Sequence, residues 1–165
     1  MSILFLCTGN AARSVMAGIA LRQRRTDLEV ETAGTLTVDG LPISWRTRAA
    51  LDDVGLPWPR HASRQAGSDV LHAADVIIGM APEHVEWIRR EHADLADRAV
   101  TLIRLTKQLT PPTSPLTDRI AALELAHVRL EQWEEIVDPG GGEVEAFVQC
   151  AHEIVGLVDR LAELL

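Results

Sequence analysis

Two residues near the amino terminus, Cys7 and Arg13, carry the side chains needed to attack a phosphoryl group and to hold it. Five residues separate them, and Ser14 follows directly. A cysteine thiolate is a strong nucleophile, and the planar guanidinium of arginine can bind two phosphate oxygens at once. The spacing therefore predicts a phosphate-binding loop with Cys7 as nucleophile and Arg13 as phosphate ligand.

The segment between these two residues suits close contact between backbone and anion. Successive N–H groups before a helix form an anion-binding concavity, and the helix N-terminus adds partial positive charge that also favours a thiolate. Gly9 permits a close approach of the backbone, and Asn10 tolerates a left-handed conformation. Ser14 could donate a hydrogen bond that steadies the thiolate. The predicted substrate-binding residues are Thr8, Gly9, Asn10, Ala11, Ala12 and Ser14.

A simpler interpretation makes Cys7 a buried residue at the end of a strand and Arg13 a solvated helix residue. For a lone cysteine or a lone arginine, that interpretation would be preferred. The two residues occur together, however, with Gly9 and Asn10 between them at a strand-to-helix junction. This combination favours the phosphate loop.

A candidate proton donor, Asp138, lies far along the chain. Pro139 follows it and fixes the backbone, and three glycines come next, which would let the segment approach a ligand. An Asp-Pro pair taken by itself indicates a simple turn about as often as a functional residue. The residues alone therefore leave the role of Asp138 open.

The elements that must position these residues alternate between strands and helices. Such alternation predicts an α/β fold, with a parallel sheet covered by helices on both faces. The strands are predicted over residues 2–6, 28–32, 74–79 and 100–105, and the helices over 13–24, 45–54, a short stretch from Ser68, and 82–91.

Two further helices are predicted in the last third of the chain. Apolar residues recur at helical spacing between Ile120 and Val137, which predicts an extended helical segment over about 117–136. The apolar stripe from Val144 to Leu165 is the clearest helical pattern of all. Cys150 lies off that stripe in the predicted helix and is interpreted as structural or incidental.

Composition and charge exclude several classes of protein. The chain has 165 residues and a formal charge of −8, which argues against nucleic-acid binding. Two cysteines cannot make a disulfide framework, and the six histidines do not form a zinc-ligand pattern. No apolar run is long enough to span a bilayer. A single soluble domain over residues 1–165, located in the cytoplasm and needing neither metal nor cofactor, is the expectation.

At this point the sequence resembles the low-molecular-weight protein tyrosine phosphatase family, whose signature is Cys-(x)5-Arg-Ser in an amino-terminal phosphate loop. Further matches follow in the expected order along nearly the whole chain. They are Glu31-Thr32-Ala33-Gly34-Thr35, Gly55-Leu56, His61-Ala62-Ser63-Arg64, the strand from Ala74 to Met80, and Asp138-Pro139 before a long amphipathic helix.

The resemblance implies a single-domain, three-layer sandwich whose four-stranded parallel sheet has the order 2-1-3-4. It also implies that Cys7 attacks phosphorus and Arg13 binds the phosphate. Asp138 would protonate the leaving oxygen and later activate water, and His61 would brace Asn10. The expected partners are a phosphorylated protein or a small phosphomonoester, and phosphate or similar oxyanions would inhibit by occupying the loop.

Departures from the family pattern leave the substrate open. Ala12 stands where many members have a second cysteine, and Gly140 and Gly141 replace the aromatic residues common in phosphotyrosine-specific members. Relatives that act on phosphoarginine have threonine where this chain has Ala11. The alternatives are therefore a phosphoarginine phosphatase, an arsenate reductase that uses an external small thiol, and a phosphate-binding module without turnover. The oligomeric state is not predicted.

Overall fold

The computed structural model describes residues 1–165 and contains one four-stranded parallel sheet in the order β2-β1-β3-β4. This topology confirms the predicted α/β sandwich and its strand order. Apolar runs without alternation form the two central strands, as expected for strands that are buried on both faces. The strands are β1 (Ser2–Cys7), β2 (Glu29–Gly34), β3 (Val76–Gly79) and β4 (Ala99–Thr101).

Seven α-helices surround the sheet, and none of them is long and apolar enough to cross a bilayer. Two short 3₁₀ helices, Ala93–Arg98 and Gln132–Glu134, complete the secondary structure. The α-helices are α1 (Arg13–Arg24), α2 (Trp45–Asp53), α3 (Ser68–Ala73), α4 (Pro82–Glu91), α5 (Leu102–Gln108), α6 (Leu116–Ala121) and α7 (Val144–Leu164).

The side chains of β1 alternate between two hydrophobic cores, one on each face of the sheet. Ile3 and Phe5 belong to the larger core, which also takes residues of α1, α2, α5 and α7. Leu4 and Leu6 belong to the smaller core, formed with residues of α3 and α4. Because all four of these β1 residues are fully buried, the strand is fixed on both faces, and so is the residue at its end, Cys7.

The fourth strand is shorter than predicted. The sequence predicts a strand over Val100–Leu105, but β4 ends at Thr101 and α5 begins at Leu102. Thr101 Oγ1 accepts a hydrogen bond from the Arg104 N–H, so Thr101 caps the helix. The strand therefore ends at this cap, although the residues from Val100 to Leu105 are apolar enough to form a longer strand.

The prediction of a helical segment over about 117–136 is wrong. Only α6 and the short 3₁₀ helix are helical there, and Glu124 adopts a positive φ of 49° that ends the helical path. Arginine side chains then satisfy backbone carbonyls that a helix would have used: Arg89 donates to Leu125 O and Arg104 to Arg129 O. Apolar side chains in an irregular segment thus happened to recur at helical spacing.

The placement of Cys150 off the apolar face of its helix is also wrong. Cys150 belongs to the larger core and is only 6% exposed. Burial raises the pKa of its thiol to about 12, so this cysteine stays protonated and unreactive near neutral pH. The thiol fills space among apolar side chains, consistent with the structural part of the interpretation.

Candidate active site

The predicted loop begins at Cys7, the last residue of β1, and runs into Arg13, the first residue of α1. Cys7, Asn10, Arg13 and Ser14 are all at least 97% buried. The fold therefore builds the loop at the carboxyl end of a central strand, where ligands bind in open α/β sheets.

Ser14 joins the nucleophile candidate to the rest of the loop. Its Oγ lies 3.0 Å from Cys7 Sγ and accepts a hydrogen bond of 3.0 Å from Asn10 Nδ2. Asn10 Nδ2 is the donor in its bond with Ser14 Oγ. The single hydroxyl proton of Ser14 is therefore available for a hydrogen bond to Cys7 Sγ. The Ser14 hydroxyl thus holds the Cys7 side chain in place within the loop.

Asn10 is the residue around which the loop turns. Its φ of 49° lies in the left-handed region that asparagine tolerates. Its side-chain Oδ1 accepts a hydrogen bond of 3.1 Å from Arg64 N, and its backbone carbonyl accepts one of 2.8 Å from His61 Nε2. The structure thus brings His61 against the backbone of Asn10, where it ties the loop to the segment that precedes Ala66.

The carbonyl groups of the loop point away from its centre, and donors outside the loop satisfy them. None of the six N–H groups from Thr8 to Arg13 donates a hydrogen bond within the chain. Six successive unpaired N–H groups directly after Cys7 can form a cradle for a tetrahedral anion. The carbonyls of Cys7, Thr8, Gly9 and Ala11 accept hydrogen bonds of 2.8–3.0 Å from Thr35 N, Leu36 N, Thr37 Oγ1 and Thr47 Oγ1 respectively.

Close packing on β2 supports the loop from below. A Cβ atom at Gly34 would lie 2.4 Å from Thr8 O and 3.1 Å from Asn10 N. Any side chain at this position would therefore push the loop away from the strand. This contact requires glycine at position 34.

Arg13 connects the loop to the segment that carries the candidate acid. Its Nη1 donates to Ile136 O at 3.1 Å, and its Nη2 donates to Asp138 Oδ2 at 2.6 Å. The Arg13 side chain is 3% exposed, whereas that of Asp138 is 52% exposed. The other carboxylate oxygen of Asp138 accepts the Gly140 N–H at 2.9 Å. A fixed guanidinium and a solvent-facing carboxylate thus meet at the start of α1.

Sequence reasoning missed one buried polar residue of the site, His84. The Ala81 N–H donates to His84 Nδ1 at 3.0 Å, and His84 Nε2 lies 3.1 Å from Thr8 Oγ1. Burial, and next the charge of Arg13, lower the pKa of His84 to about 3. The neutral ring therefore carries its proton on Nε2 and donates it to Thr8. A histidine in the first turn of a helix gives no sequence signal for this role.

The neutral state of His84 predicts an acid-dependent loss of stability. Below a pKa of 6.5, His84 binds a proton in the unfolded chain, whereas in the folded chain it stays neutral until the pH falls to about 3. The free energy of unfolding should therefore fall by up to about 1.4 kcal/mol per pH unit across that window because of this one group. Urea unfolding at pH 7 and pH 4.5 should show a smaller fall for His84→Gln than for the wild type. The control is His127→Gln, which removes an exposed histidine. If His127→Gln reduced the fall in unfolding free energy as much as His84→Gln does, the assignment would be contradicted.

A cavity of about 770 Å³ lies away from this site. It is lined by Val76 and Arg98, which begin or precede strands, and by residues of the 115–127 segment. It therefore opens at the amino ends of the strands, whereas the loop lies at their carboxyl ends. The candidate active site is the shallow anion cradle and not this cavity.

Comparisons with known proteins agree with the geometry of the loop. The family model for low molecular weight phosphotyrosine protein phosphatase matches residues 2–118. A protein-arginine-phosphatase of Geobacillus stearothermophilus is 29% identical over 164 residues, which cover 99% of this chain and 95% of that protein. The low molecular weight protein-tyrosine-phosphatase PtpB of Staphylococcus aureus is 24% identical over 165 residues, covering 100% and 99% of the two chains.

A solved structure extends the likeness to three dimensions. The low molecular weight protein tyrosine phosphatase from T. tengcongensis superposes with a TM-score of 0.80 at 26% identity, covering 100% of this chain and 99% of that one. The family model alone spans well over half of the sequence. This chain therefore belongs to the low molecular weight phosphotyrosine protein phosphatase family and is a cysteine-dependent phosphatase.

Proposed function

We propose that the chain hydrolyses phosphotyrosine-type monoesters on proteins, with Cys7 as nucleophile, Arg13 as phosphate ligand and Asp138 as proton donor. The observation that supports this proposal most strongly is the set of six unpaired N–H groups from Thr8 to Arg13, directly after Cys7. These groups and Arg13 match the three equatorial oxygens of a phosphoryl group in flight, where negative charge must be stabilised. A free Cys7 thiol needs a reducing compartment, so the proposed setting is the cytoplasm.

In the proposed first step, Cys7 Sγ attacks phosphorus from within the cradle. The bond from phosphorus to the leaving oxygen breaks, and Asp138 gives that oxygen a proton. The products are a phosphocysteine and a free hydroxyl group. Phosphate binding to Arg13 would replace the bond between Arg13 Nη2 and Asp138 Oδ2, which frees the half-exposed carboxyl group to face the leaving oxygen.

In the proposed second step, a water molecule attacks the phosphocysteine. The carboxylate of Asp138 takes a proton from this water as the new bond to phosphorus forms. The sulfur–phosphorus bond then breaks, inorganic phosphate leaves, and the thiolate of Cys7 is regenerated. Ser14, 3.0 Å from Sγ, donates to the thiolate both as it forms at the start and as it leaves here.

Phosphotyrosine and phosphoarginine are the two substrates to compare. The apolar side chains of Leu36 and Val38 are 78% and 67% exposed beside the loop, and they suit contact with a phenyl ring. The relative named as a protein-arginine-phosphatase favours phosphoarginine as the second candidate. We expect a higher kcat/KM on a phosphotyrosine peptide than on a phosphoarginine peptide of the same sequence. The reverse order would transfer the assignment to phosphoarginine.

The proposed role of Asp138 predicts a dependence on the leaving group. For Asp138→Asn, kcat should fall by about 10²–10³-fold with phenyl phosphate, whose leaving oxygen needs a proton. It should fall only about tenfold with p-nitrophenyl phosphate, because nitrophenolate leaves readily without one. The control is Asp97→Asn, since Asp97 is an exposed carboxylate at the amino end of β4. Equal losses with the two substrates would remove Asp138 from the role of proton donor.

A further inference from the structure

Three arginines near the loop, Arg46, Arg48 and Arg60, form no ion pair within the chain. Their guanidinium groups form no hydrogen bond and no ion pair, in contrast to Arg13, Arg24, Arg25 and Arg64, each of which holds a carboxylate. Arg46 also leaves its Nε buried without a hydrogen-bond acceptor. These guanidinium groups are therefore available to pair with acceptors of another molecule.

Two exposed tryptophans lie among these arginines. Trp45 is 55% exposed and Trp58 is 48% exposed. The guanidinium of Arg46 lies 5.2 Å from the ring centre of Trp45, and that of Arg48 lies 5.6 Å from the ring centre of Trp58. We call the surface made by Trp45, Arg46, Arg48, Trp58 and Arg60 the arginine–tryptophan surface.

This surface has the composition and rigidity of a binding site. Tryptophan and arginine are the residues most enriched at energetic centres of protein interfaces. Trp58 is held in place because its Nε1 donates to Asp52 Oδ1 at 2.8 Å. A cavity of about 290 Å³, lined in part by Ile43, Arg48 and Pro59, lies beside it. An arriving chain would thus meet an ordered, concave surface.

The arginine–tryptophan surface is attached to the phosphate loop on both sides. Thr47, which lies between Arg46 and Arg48, donates through Oγ1 to Ala11 O at 3.0 Å. His61, next to Arg60, donates to Asn10 O at 2.8 Å. The segments that carry the arginines are therefore the same ones that hold the loop in shape. Thr47 and His61 therefore place this surface beside the loop.

We propose that the arginine–tryptophan surface binds an acidic segment of the substrate protein, a few residues from the phosphorylated residue. This inference rests on the proposed function, because it assigns a substrate class to the same site. Charge complementarity identifies the occupant: three cations without an ion pair lie here in a chain whose net charge is −8. Aspartate and glutamate side chains would pair with the guanidinium groups, and the tryptophan rings would pack against their aliphatic parts.

The test compares two phosphotyrosine peptides that differ only in three flanking residues, all glutamate in one and all glutamine in the other. For the wild type we expect kcat/KM to be about tenfold higher with the acidic peptide, since exposed charge pairs contribute roughly 0.2–1 kcal/mol each. The double variant Arg48→Glu/Arg60→Glu should lose or reverse this preference. Turnover of p-nitrophenyl phosphate, which has no flanking residues, should not change in the double variant.

The matched control is Arg160→Glu, the same charge reversal at an exposed position of α7. It should keep the preference for the acidic peptide. The preference should also shrink as the salt concentration rises from 50 to 500 mM, because salt screens exposed charges. Equal kcat/KM for the two peptides, or an equal loss of preference in Arg160→Glu, would overturn the proposal.

A binding measurement separates failure of this inference from failure of the proposed function. The affinities of both peptides for Cys7→Ser can be measured without any turnover. If the wild type hydrolyses neither peptide nor p-nitrophenyl phosphate, the proposed function fails, and the affinity ratio of the peptides still decides the docking proposal. Analytical ultracentrifugation gives a further check: a dimer that Arg48→Glu/Arg60→Glu dissociates would show that a second copy covers the surface, and would overturn the assignment to substrate.

Discussion

Cys7→Ser should abolish measurable phosphate release from p-nitrophenyl phosphate. Loss of the nucleophile of a hydrolase costs about 10⁶ in kcat, and a serine hydroxyl in this position has no base to activate it. Ser14 Oγ, 3.0 Å from Sγ, is a neutral hydroxyl and is not a base that could take the proton of a new serine. Release of p-nitrophenol, followed in metal-free buffer with reduced protein, measures the effect.

The same variant should still bind phosphate. The six N–H groups from Thr8 to Arg13 belong to the backbone, and the substitution leaves them in place. Calorimetry with inorganic phosphate should therefore give an affinity within about tenfold of the wild type. Loss of turnover with loss of phosphate binding would indicate a collapsed loop instead of a missing nucleophile.

Cys150→Ser provides the matched control for Cys7→Ser. Cys150 is buried in the larger core, and its raised pKa keeps it a thiol. Burying a hydroxyl there should lower the free energy of unfolding by about 1–3 kcal/mol, while kcat stays within a few-fold of the wild type. If Cys150→Ser also abolished turnover in folded protein, Cys7 would not be the only thiol required.

Local patterns predicted the loop and the elements beside it because each pattern determines its own structure. The short apolar run before Cys7 predicts a buried strand, and the pattern after it predicts a helix over residues 13–24, the bounds that α1 has. Gly9 and Asn10 mark the turn between them, and Asn10 does adopt a positive φ. Secondary structure around the site was therefore readable from neighbouring residues.

Contacts between distant residues were not readable in the same way. His84 contacts Thr8 across 76 positions of sequence, and Arg13 contacts Asp138 across 125. Only the resemblance to a family predicts that Asp138 lies at the loop, and nothing in the sequence predicts this for His84. The 117–136 segment failed for a related reason, because its conformation depends on Arg89 and Arg104, which lie outside it.

A fully buried carboxylate, that of Glu134, holds the segment that leads to Asp138. Of the substitutions considered, removal of this carboxylate should lower the free energy of unfolding the most. Glu134 is 0% exposed and accepts hydrogen bonds from Thr101 Oγ1 at 2.6 Å, Arg104 Nε at 2.9 Å and Glu131 N at 2.8 Å. Burial alone would raise the pKa of Glu134, but the bonds from Arg104 and Thr101 outweigh it, so the pKa is lowered. The contribution of Glu134 is therefore present near neutral pH and is lost as the pH falls through the folded pKa.

Glu134→Ala should lower the free energy of unfolding by about 3–5 kcal/mol, because it leaves the buried charge of Arg104 without a partner. Urea unfolding at pH 7 measures this change, and Glu135→Ala is the matched control, since Glu135 is the exposed neighbour in the chain. The double substitution Arg104→Met/Glu134→Leu should recover most of the loss, because no charge is then stranded. Equal effects of Glu134→Ala and Glu135→Ala would contradict the anchoring role.

Anchoring by Glu134 should also affect the catalytic rate. Ile136 and Asp138, two and four residues after Glu134, both contact Arg13. In folded protein, Glu134→Ala should reduce kcat more with phenyl phosphate than with p-nitrophenyl phosphate, as expected when the proton donor is misplaced. The double substitution should restore this ratio together with the stability. If the double substitution restored the stability but not the ratio of kcat values for the two substrates, the Arg104–Glu134 pair would position Asp138 directly. It would then do more than keep the segment folded.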